Sequence, residues 1–564
     1  MRTCIAMVLA GWALAAAVSM AGGALAPVPA EALTIEAEDA PIHTAGAGLK
    51  DVWNLHSNGE VGAHVAVPAK GTYTVTLRAS GTPLDGVWPL VAVQVDGLRC
   101  GTPFRVTAET MADYTVRVPM EAGLHAVTAA FLNDAYEGPG RDRNVLLDRI
   151  AIQAPEGGAA PRLASAEDVN AEAERRAQAA LARAAAGVET HRKSDATVRV
   201  LRGGQPVADA AVTAEQTGHA FLFGCNIFAF DRFRTEADSA AYKQRFADLF
   251  NYATLGFYWR AYEPERGKPR YDYTDKVVAW CRERGIRMKG HPLLWDHEAG
   301  VPRWSDGQPL AEVQKARVQE IVRRYAGRIA FWEVVNEASH LGGIEIDGPY
   351  RWAREADPSA HLIVNDYSIF DDGGPPFLAF LKERIAAGVP FEGIGIQAHE
   401  PRTAWFPMDR VQTILDTYAQ LGKALHLTEF TPQSAGKPIA GGRRGTWDEA
   451  AQADYAERFY RVCFGHPAVV AITWWDLADG HSWLPGGGML RKDLSPKPVY
   501  DRLKRLIHRE WTTRAAGPTD RTGTFRFRGF HGTYRVTVEA GGKTATAEGV
   551  LEKDGPNAWT VRVE

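Results

Sequence analysis

Between residues 221 and 511 the chain changes character in a regular way, with short apolar runs alternating with amphipathic ones of helical period. The strand-like runs are FLFGCNIF at 221, YATLGFYW at 252, RMKGHPLLW at 287, IAFWEVVNEA at 329, HLIVNDYS at 361, FEGIGIQAHE at 391, ALHLTEF at 424 and VVAITWWDL at 469. Each is followed by a helix-like segment, from SAAYKQRFADLF after the first to KPVYDRLKRLIHREW after the last. A strand that is apolar on both faces must be covered on both, and crossover helices do this for a parallel sheet. Eight such units over about 290 residues are more than an open doubly wound sheet usually holds, and they predict a closed (β/α)8 barrel of the α/β class.

That frame gives the polar residues of these runs a place. Glu333 and Glu337 in FWEVVNEASH share a face in either a helix or a strand. As the fourth barrel strand, the segment keeps Glu333 inside as a buried support and puts Glu337 at the end. The third strand closes on His291 and Trp295, the fourth on Asn336 and Glu337, the fifth on Asn365 and Asp366, the sixth on Gln397 and His399, the seventh on Glu429 and the eighth on Trp475. Barrel interiors are filled by Val, Ile and Leu, and catalytic groups project from the C-terminal strand ends. Glutamates ending strands four and seven face each other across the mouth and suit glycoside hydrolysis, in which one carboxyl stays protonated and the other ionised. A metal site of His291, His399 and His426 with these glutamates is the alternative, without HxH or HExxH spacing behind it.

The flanks are different. Residues 1–30 read as a secretory signal: one arginine, an apolar run from Ile5 to about Met20, then small residues, too short for the ~20 apolar residues of a spanning helix. The expected location is secreted or periplasmic, with no membrane span. From 31 to 155, alternating runs such as VGAHVAV and GTYTVTLRA at roughly ten-residue spacing predict a β-sandwich. Residues 156–195 read as a linker and an alanine-rich spacer helix, with Ser165 and Asp168 in a capping arrangement. The barrel with a leading strand pair takes 196–511, and 512–564 form a small β subdomain expected to pack on it, because about fifty residues make a poor core alone. Once Cys4 leaves with the signal, Cys100, Cys225, Cys281 and Cys463 have no CxxC spacing and read as small buried hydrophobes. A net charge of -4 gives no footprint for nucleic acid.

The stretch from about 195 to 510 resembles glycoside hydrolase family 10, the retaining β-1,4-xylanases, through YEPERG at 262, GHPLLW at 290, WEVVNEA at 332, NDY at 365, GIGIQAH at 393, TEF at 428, Trp475, SW at 482 and SPKPVY at 495. The resemblance implies Glu337 as acid/base and Glu429 as nucleophile, with Asn336 on the sugar 2-hydroxyl and His399 on the nucleophile. Trp259, His291, Trp295, Gln397, Trp475 and Trp483 would complete the substrate-binding set. Departures cluster on the glycone side: Thr254, Leu255 and Tyr258 replace the family's Glu, Asn and Lys, with Arg260 as a replacement donor. Asp296 stands for a His, Thr431 for an Asp and Asp476 for a Gly. FLNDAYEGPGRDRNVLLDRIAIQ at 131 resembles the end of calcium-dependent xylan-binding modules, which makes Asp134, Asp142 and Asn144 candidate calcium ligands.

These readings converge on a secreted, monomeric hydrolase of xylan or a related plant cell-wall hemicellulose that needs no cofactor for catalysis, with calcium as the candidate ion of its front module. Hydrolysis of a different or heavily decorated β-glycan, or glycan binding without catalysis, are the other readings.

Overall fold

A computed structural model describes residues 19–21, 32–305, 311–340, 342–370 and 374–564. Apart from Ser19–Ala21, the expected signal segment lies outside the described residues. The chain divides into two compact units, residues 1–174 with 439–445 and the remainder. No helix among the described residues is long and apolar enough to cross a membrane.

The first unit is a β-sandwich of a seven-stranded and a six-stranded sheet, with a short hairpin of Tyr136–Gly138 and Arg141–Asp142 beside them. Period-2 alternation builds its core: Tyr73, Val75, Leu77 and Ala79 of one sheet meet Val61, Val65, Val127 and Phe131 of the other.

In the second unit the alternating segments become a closed parallel barrel. Its strands are β1 (Leu222–Asn226), β2 (Tyr252–Gly256), β3 (Arg287–His291), β4 (Phe331–Asn336), β5 (His361–Asp366), β6 (Gly393–Ile396), β7 (Ala424–Phe430) and β8 (Val469–Trp474). Closure is the β1–β8 pairing, with Leu222 opposite Ala471 and Cys225 opposite Trp474. Leu222, Tyr252, Phe331, Ile363 and Ala471 form one apolar cluster near the N-terminal ends of their strands, below the polar residues at the opposite ends. Cys225, Cys281 and Cys463 are buried and free, whereas Cys100, expected to be buried like them, is free and only half-buried on a strand of the sandwich.

The alanine-rich segment is a helix, Ala166–His191, capped as its sequence suggests. The Asp168 amide donates to Ser165 Oγ at 3.1 Å, and the Asp168 carboxylate accepts the Ser165 amide at 3.0 Å. Within the second unit it packs on barrel helices rather than standing free. Arg183 donates twice to Asp416 at 2.7 Å, and a Cβ on Gly187 would fall 2.2 Å from the Gly465 carbonyl oxygen.

The tail does not stand alone. Lys193–Arg202 pairs with Thr524–Phe530 and Ala558–Arg562, and Ala211–His219 lies between Arg514–Pro518 and Gly532–Ala540. The strand pair that precedes the barrel thus shares sheets with the tail, and Val198, Val200, Val212, Val536 and Val538 close a joint core. Arg192 anchors this module by donating to the carbonyls of Phe464, His466 and Val469, each at 2.6 Å.

Candidate active site

The site begins inside the barrel. Lys289 and His291 alternate with Gly290 on β3, so both point inward, and Glu333 points inward from β4. All three side chains are buried; one Glu333 oxygen meets Lys289 Nζ and the other His291 Nδ1. His291 is thereby oriented with Nε2 toward Tyr258 Oη at 3.0 Å and Glu429 Oε1 at 4.0 Å.

Glu429, on β7, is 5% exposed. Asn365 Nδ2 donates to its Oε1 at 3.1 Å, and His399 Nε2 lies 3.1 Å from its Oε2. A nitrogen facing a carboxylate oxygen carries the hydrogen, and His399 Nδ1 lies 3.0 Å from the Thr431 hydroxyl, which itself donates to the Glu429 carbonyl at 2.9 Å. Burial works to raise the Glu429 carboxyl, but the His399 hydrogen bond and the positive field of His291, His399 and Lys289 outweigh it and hold the group below the usual carboxylate range. Asn365 also donates to Asn336 Oδ1 at 2.9 Å and accepts from Thr428 Oγ1 at 2.6 Å, which ties β4, β5 and β7 together. With its carbonyl engaged, Asn336 has its amide nitrogen left to offer a ligand.

Glu337 follows β4 with φ +56°, and the pairing of β4 with β5 slips between Glu333 and Asn336. Its direction therefore comes from a left-handed backbone, not from strand alternation. Ser368, Ala398 and Asp476, just beyond β5, β6 and β8, have φ +56°, +63° and +69°. Such non-glycine conformations cost about 1–3 kcal/mol each and persist only where surrounding structure imposes them. Trp295 Nε1 donates to Glu337 Oε2 at 3.0 Å and Gln397 Nε2 to Oε1 at 3.3 Å. Burial, opposed by the Gln397 hydrogen bond and reinforced by the charge of Glu429, pushes Glu337 above the usual carboxyl range. Two carboxyls on facing strand ends are thus driven in opposite directions.

Aromatic rings surround the pair. Trp475 sets its edge against Phe228 and His291 at 5.3 and 5.2 Å, and Trp483, 51% exposed, meets His399 at 5.1 Å. Trp295 stacks on His297 at 4.2 Å. Of the sequence-derived set, Glu337, Glu429, His291, Trp295, Asn336, Gln397, His399, Trp475 and Trp483 come together here.

Trp259 does not face this centre. It is 5% exposed, its indole nitrogen donates to Glu263 at 2.8 Å, and Arg317 covers its ring at 4.8 Å. These contacts make it a packing residue of the β2 loop. Arg260, read as a replacement donor, is paired with Glu298 and bonded to the Val301 carbonyl. Lys289 is a part of the centre that sequence reasoning left out, whereas Asn365, marked there as a strand-end polar residue, and Tyr258, marked as a departure, contact Glu429 and His291. A lysine two residues before a histidine, on the same face of one strand, was the available signal for Lys289.

Ligand atoms of His291, Glu333 and Glu429 lie within 4.8 Å of one another. Lys289 already balances Glu333, and His291 turns opposite ring nitrogens to the two carboxylates, so the cluster is satisfied as a hydrogen-bonded relay. His426 sits lower, its Nε2 3.2 Å from that of His361, and the three-histidine arrangement is not assembled.

In the sandwich, Asp134, Asp142 and Asn144 each bury an Oδ1 that has no hydrogen-bond partner. Burial and the neighbouring Asp142 charge raise the Asp134 carboxyl. Three orphaned oxygens, two of them carboxylate, fit a hard cation such as calcium.

The model of glycosyl hydrolase family 10 matches residues 215–506, just over half of the 564-residue chain. The chain belongs to this family. A second model, of a Ca-dependent xylan-binding carbohydrate-binding module, matches residues 74–164. The family 10 chain is 31% identical over 369 residues to the anti-sigma-I factor RsgI6 of Acetivibrio thermocellus, covering 62% of this chain and 46% of that protein. It is 29% identical over 299 residues to endo-1,4-beta-xylanase B of Thermotoga neapolitana, covering 48% and 84%. With endo-1,4-beta-xylanase 1 of Arabidopsis thaliana, identity is 28% over 402 residues, covering 67% and 38%. The chain thus spans less than half the length of two of these three relatives.

Replacing Glu333 by Ala strands the buried Lys289 charge and should lower unfolding free energy by about 3–5 kcal/mol, whereas the double change Lys289→Met with Glu333→Leu should cost only about 1–3 kcal/mol, for the His291 Nδ1 it leaves unpaired. Denaturant midpoints of the two variants check this; equal losses would mean that the charge pair is not what matters.

Proposed function

We propose that this chain is a secreted retaining glycoside hydrolase that cleaves β-1,4-xylan or a related hemicellulose, with Glu429 as nucleophile and Glu337 as acid/base. The observation that carries the reading is the opposed tuning of the two glutamates: Glu429 favours its charged form and Glu337 its protonated form. Two of the relatives named above are endo-1,4-beta-xylanases, and the resemblance to a signal peptide supports export to the polymer.

In the first step a Glu429 oxygen attacks the anomeric carbon as the bond to the leaving oxygen breaks, and Glu337 delivers its proton to that oxygen. The product is a glycosyl ester on Glu429 and a free sugar hydroxyl. Water then attacks the same carbon, Glu337 takes its proton, and the Glu429 carboxylate departs. Asn336 offers its amide to the 2-hydroxyl while Asn365 and His399 keep the Glu429 oxygens aligned. Trp475, Trp295 and Trp483 offer apolar faces to sugar rings. In the sandwich, Asp134, Asp142 and Asn144 would hold calcium, whose charge would offset the two carboxylates and whose remaining coordination would suit sugar hydroxyls.

Glu429→Ala should lower hydrolysis of linear xylan by at least about 10³-fold. With an activated aryl xyloside, added azide should then yield the α-glycosyl azide from Glu429→Ala and the β-anomer from Glu337→Ala. Wild-type turnover by Glu429→Ala, or the same anomer from both variants, removes the assignment.

Activity requires ionised Glu429 and protonated Glu337, so kcat/KM should fall at low pH through the depressed Glu429 pKa and at high pH through the raised Glu337 pKa. The Trp295 hydrogen bond favours charged Glu337; Trp295→Phe should therefore move the alkaline limb upward. A limb that stays or moves down contradicts the acid/base role.

For the front module, calcium should raise the melting temperature of the full chain, and Asp142→Ala should abolish that response. Indifference of the wild type to calcium and to chelator removes the ion.

A further inference from the structure

Beside the catalytic centre lies a cavity of about 740 Å³, bounded by residues that follow β1 and β2 and by the helix Tyr271–Glu283. Its volume is that of a small-ligand site. The wall is shared with the centre: Tyr258 lines the cavity and places its hydroxyl 3.0 Å from His291 Nε2, and Phe228 lines it and packs its ring 5.3 Å from Trp475. A polysaccharide held across Glu337 and Glu429 therefore brings the side groups of a neighbouring sugar to this opening.

The lining is not that of a site for an ordinary neutral sugar, whose hydroxyls need amide and carboxylate partners. Leu255, Phe228 and Tyr258 present apolar surface, and the buried Thr254 behind them has a hydroxyl without a hydrogen-bond partner. The charge is one-sided. Asp231 is the acidic side chain in the lining, and Lys243 and Lys276 both pair with it. Arg232 and Arg270 also line the cavity, and among the described residues neither guanidinium has a carboxylate partner; Arg232 lies 5.5 Å over the Tyr273 ring. Nearby Arg260, by contrast, is neutralised by Glu298. Arg232, which hydrogen-bonds the Tyr273 side chain, and Arg270 keep guanidinium donors over an aromatic, apolar floor, and such forks select a flat carboxylate carried on a sugar ring.

We propose that this cavity is an accessory subsite for an acidic branch of the polysaccharide, a hexuronic acid substituent, read by Arg232 and Arg270. The inference rests on the hydrolase reading above and assigns part of its substrate preference. The uronate carboxylate lies between the two guanidinium groups, its ring against Tyr258 and Phe228, while the unbranched backbone runs past Glu337 and Glu429. Branches are then tolerated, and favoured, at one fixed position relative to the cleaved bond.

The test compares kcat/KM of the full-length enzyme on three xylo-oligosaccharides: linear, bearing one uronic acid branch, and bearing the same branch with its carboxyl reduced to the alcohol. The wild type should prefer the acidic substrate over the reduced one, and mass spectrometry of products should place the branch at a single distance from the new reducing end. Arg232→Gln with Arg270→Gln should cost about tenfold per arginine on the acidic substrate, for the loss of one charge-assisted hydrogen bond each. Turnover of the linear substrate should stay unchanged, which also shows that the variant is folded. Equal losses on all three substrates, or no change on the acidic one, overturn the subsite. Absence of turnover on every substrate by the wild type instead overturns the hydrolase reading, and the subsite with it.

Discussion

The buried charge network of Lys289, Glu333 and His291 sets the frame on which the site is built. A carboxylate at 0% exposure is tolerable only when its charge and lone pairs are met, and here a lysine and a histidine from the adjacent strand meet both. The network fixes the His291 ring, and the ring in turn fixes the Tyr258 hydroxyl and part of the field at Glu429. The apolar cluster of Leu222, Tyr252, Phe331, Ile363 and Ala471 lies toward the N-terminal ends of the strands, the charged layer nearer their C-terminal ends, and the two glutamates at the mouth. This ordering places the low-dielectric part of the barrel away from the end where chemistry needs charge.

The two glutamates differ because their surroundings differ. Glu429 is nearly enclosed, yet it receives hydrogen bonds from Asn365 and His399 and stands in a positive field, so enclosure strengthens the groups that keep it ionised. Glu337 is less deeply placed, but lost solvent is its main influence and, with the charge of the facing carboxylate, outweighs the Gln397 hydrogen bond. Its left-handed backbone lets the side chain leave the strand alternation and reach Trp295 and Gln397. The strain gathered at the ends of β4, β5, β6 and β8 is held in place by a closed barrel that cannot relax one strand alone.

The end of β2 departs from the family pattern while the facing carboxylate pair is intact. Thr254 and Leu255 remove polar groups from the end of β2, and Tyr258 turns its hydroxyl to His291. What is left is a large, aromatic, positively charged opening next to an intact carboxylate pair. The joint module of residues 193–219 and 514–562 and the helix from residue 175 to 191 occupy the other end and the outside of the barrel, where Arg192 and the Gly187–Gly465 contact seal them to it.

Periodicity alone determined the barrel. Eight apolar runs separated by amphipathic segments have one economical way to bury both faces, and the structure follows those runs strand by strand. The sandwich, the helix cap at Ser165 and the buried cysteines were legible for the same reason, since local pattern dictates them. Glu337 and Glu429 were marked by their place at strand ends. Contacts between distant residues were not legible: that Trp259 is locked beneath Arg317 and that Arg260 is spent on Glu298. Local propensity names an element and its buried face, whereas the partner of a side chain depends on how loops from separate strands close over one another. Only the tertiary structure could decide that, because it alone sets which charges meet and which, like Arg232 and Arg270, line a cavity without a carboxylate partner among the described residues.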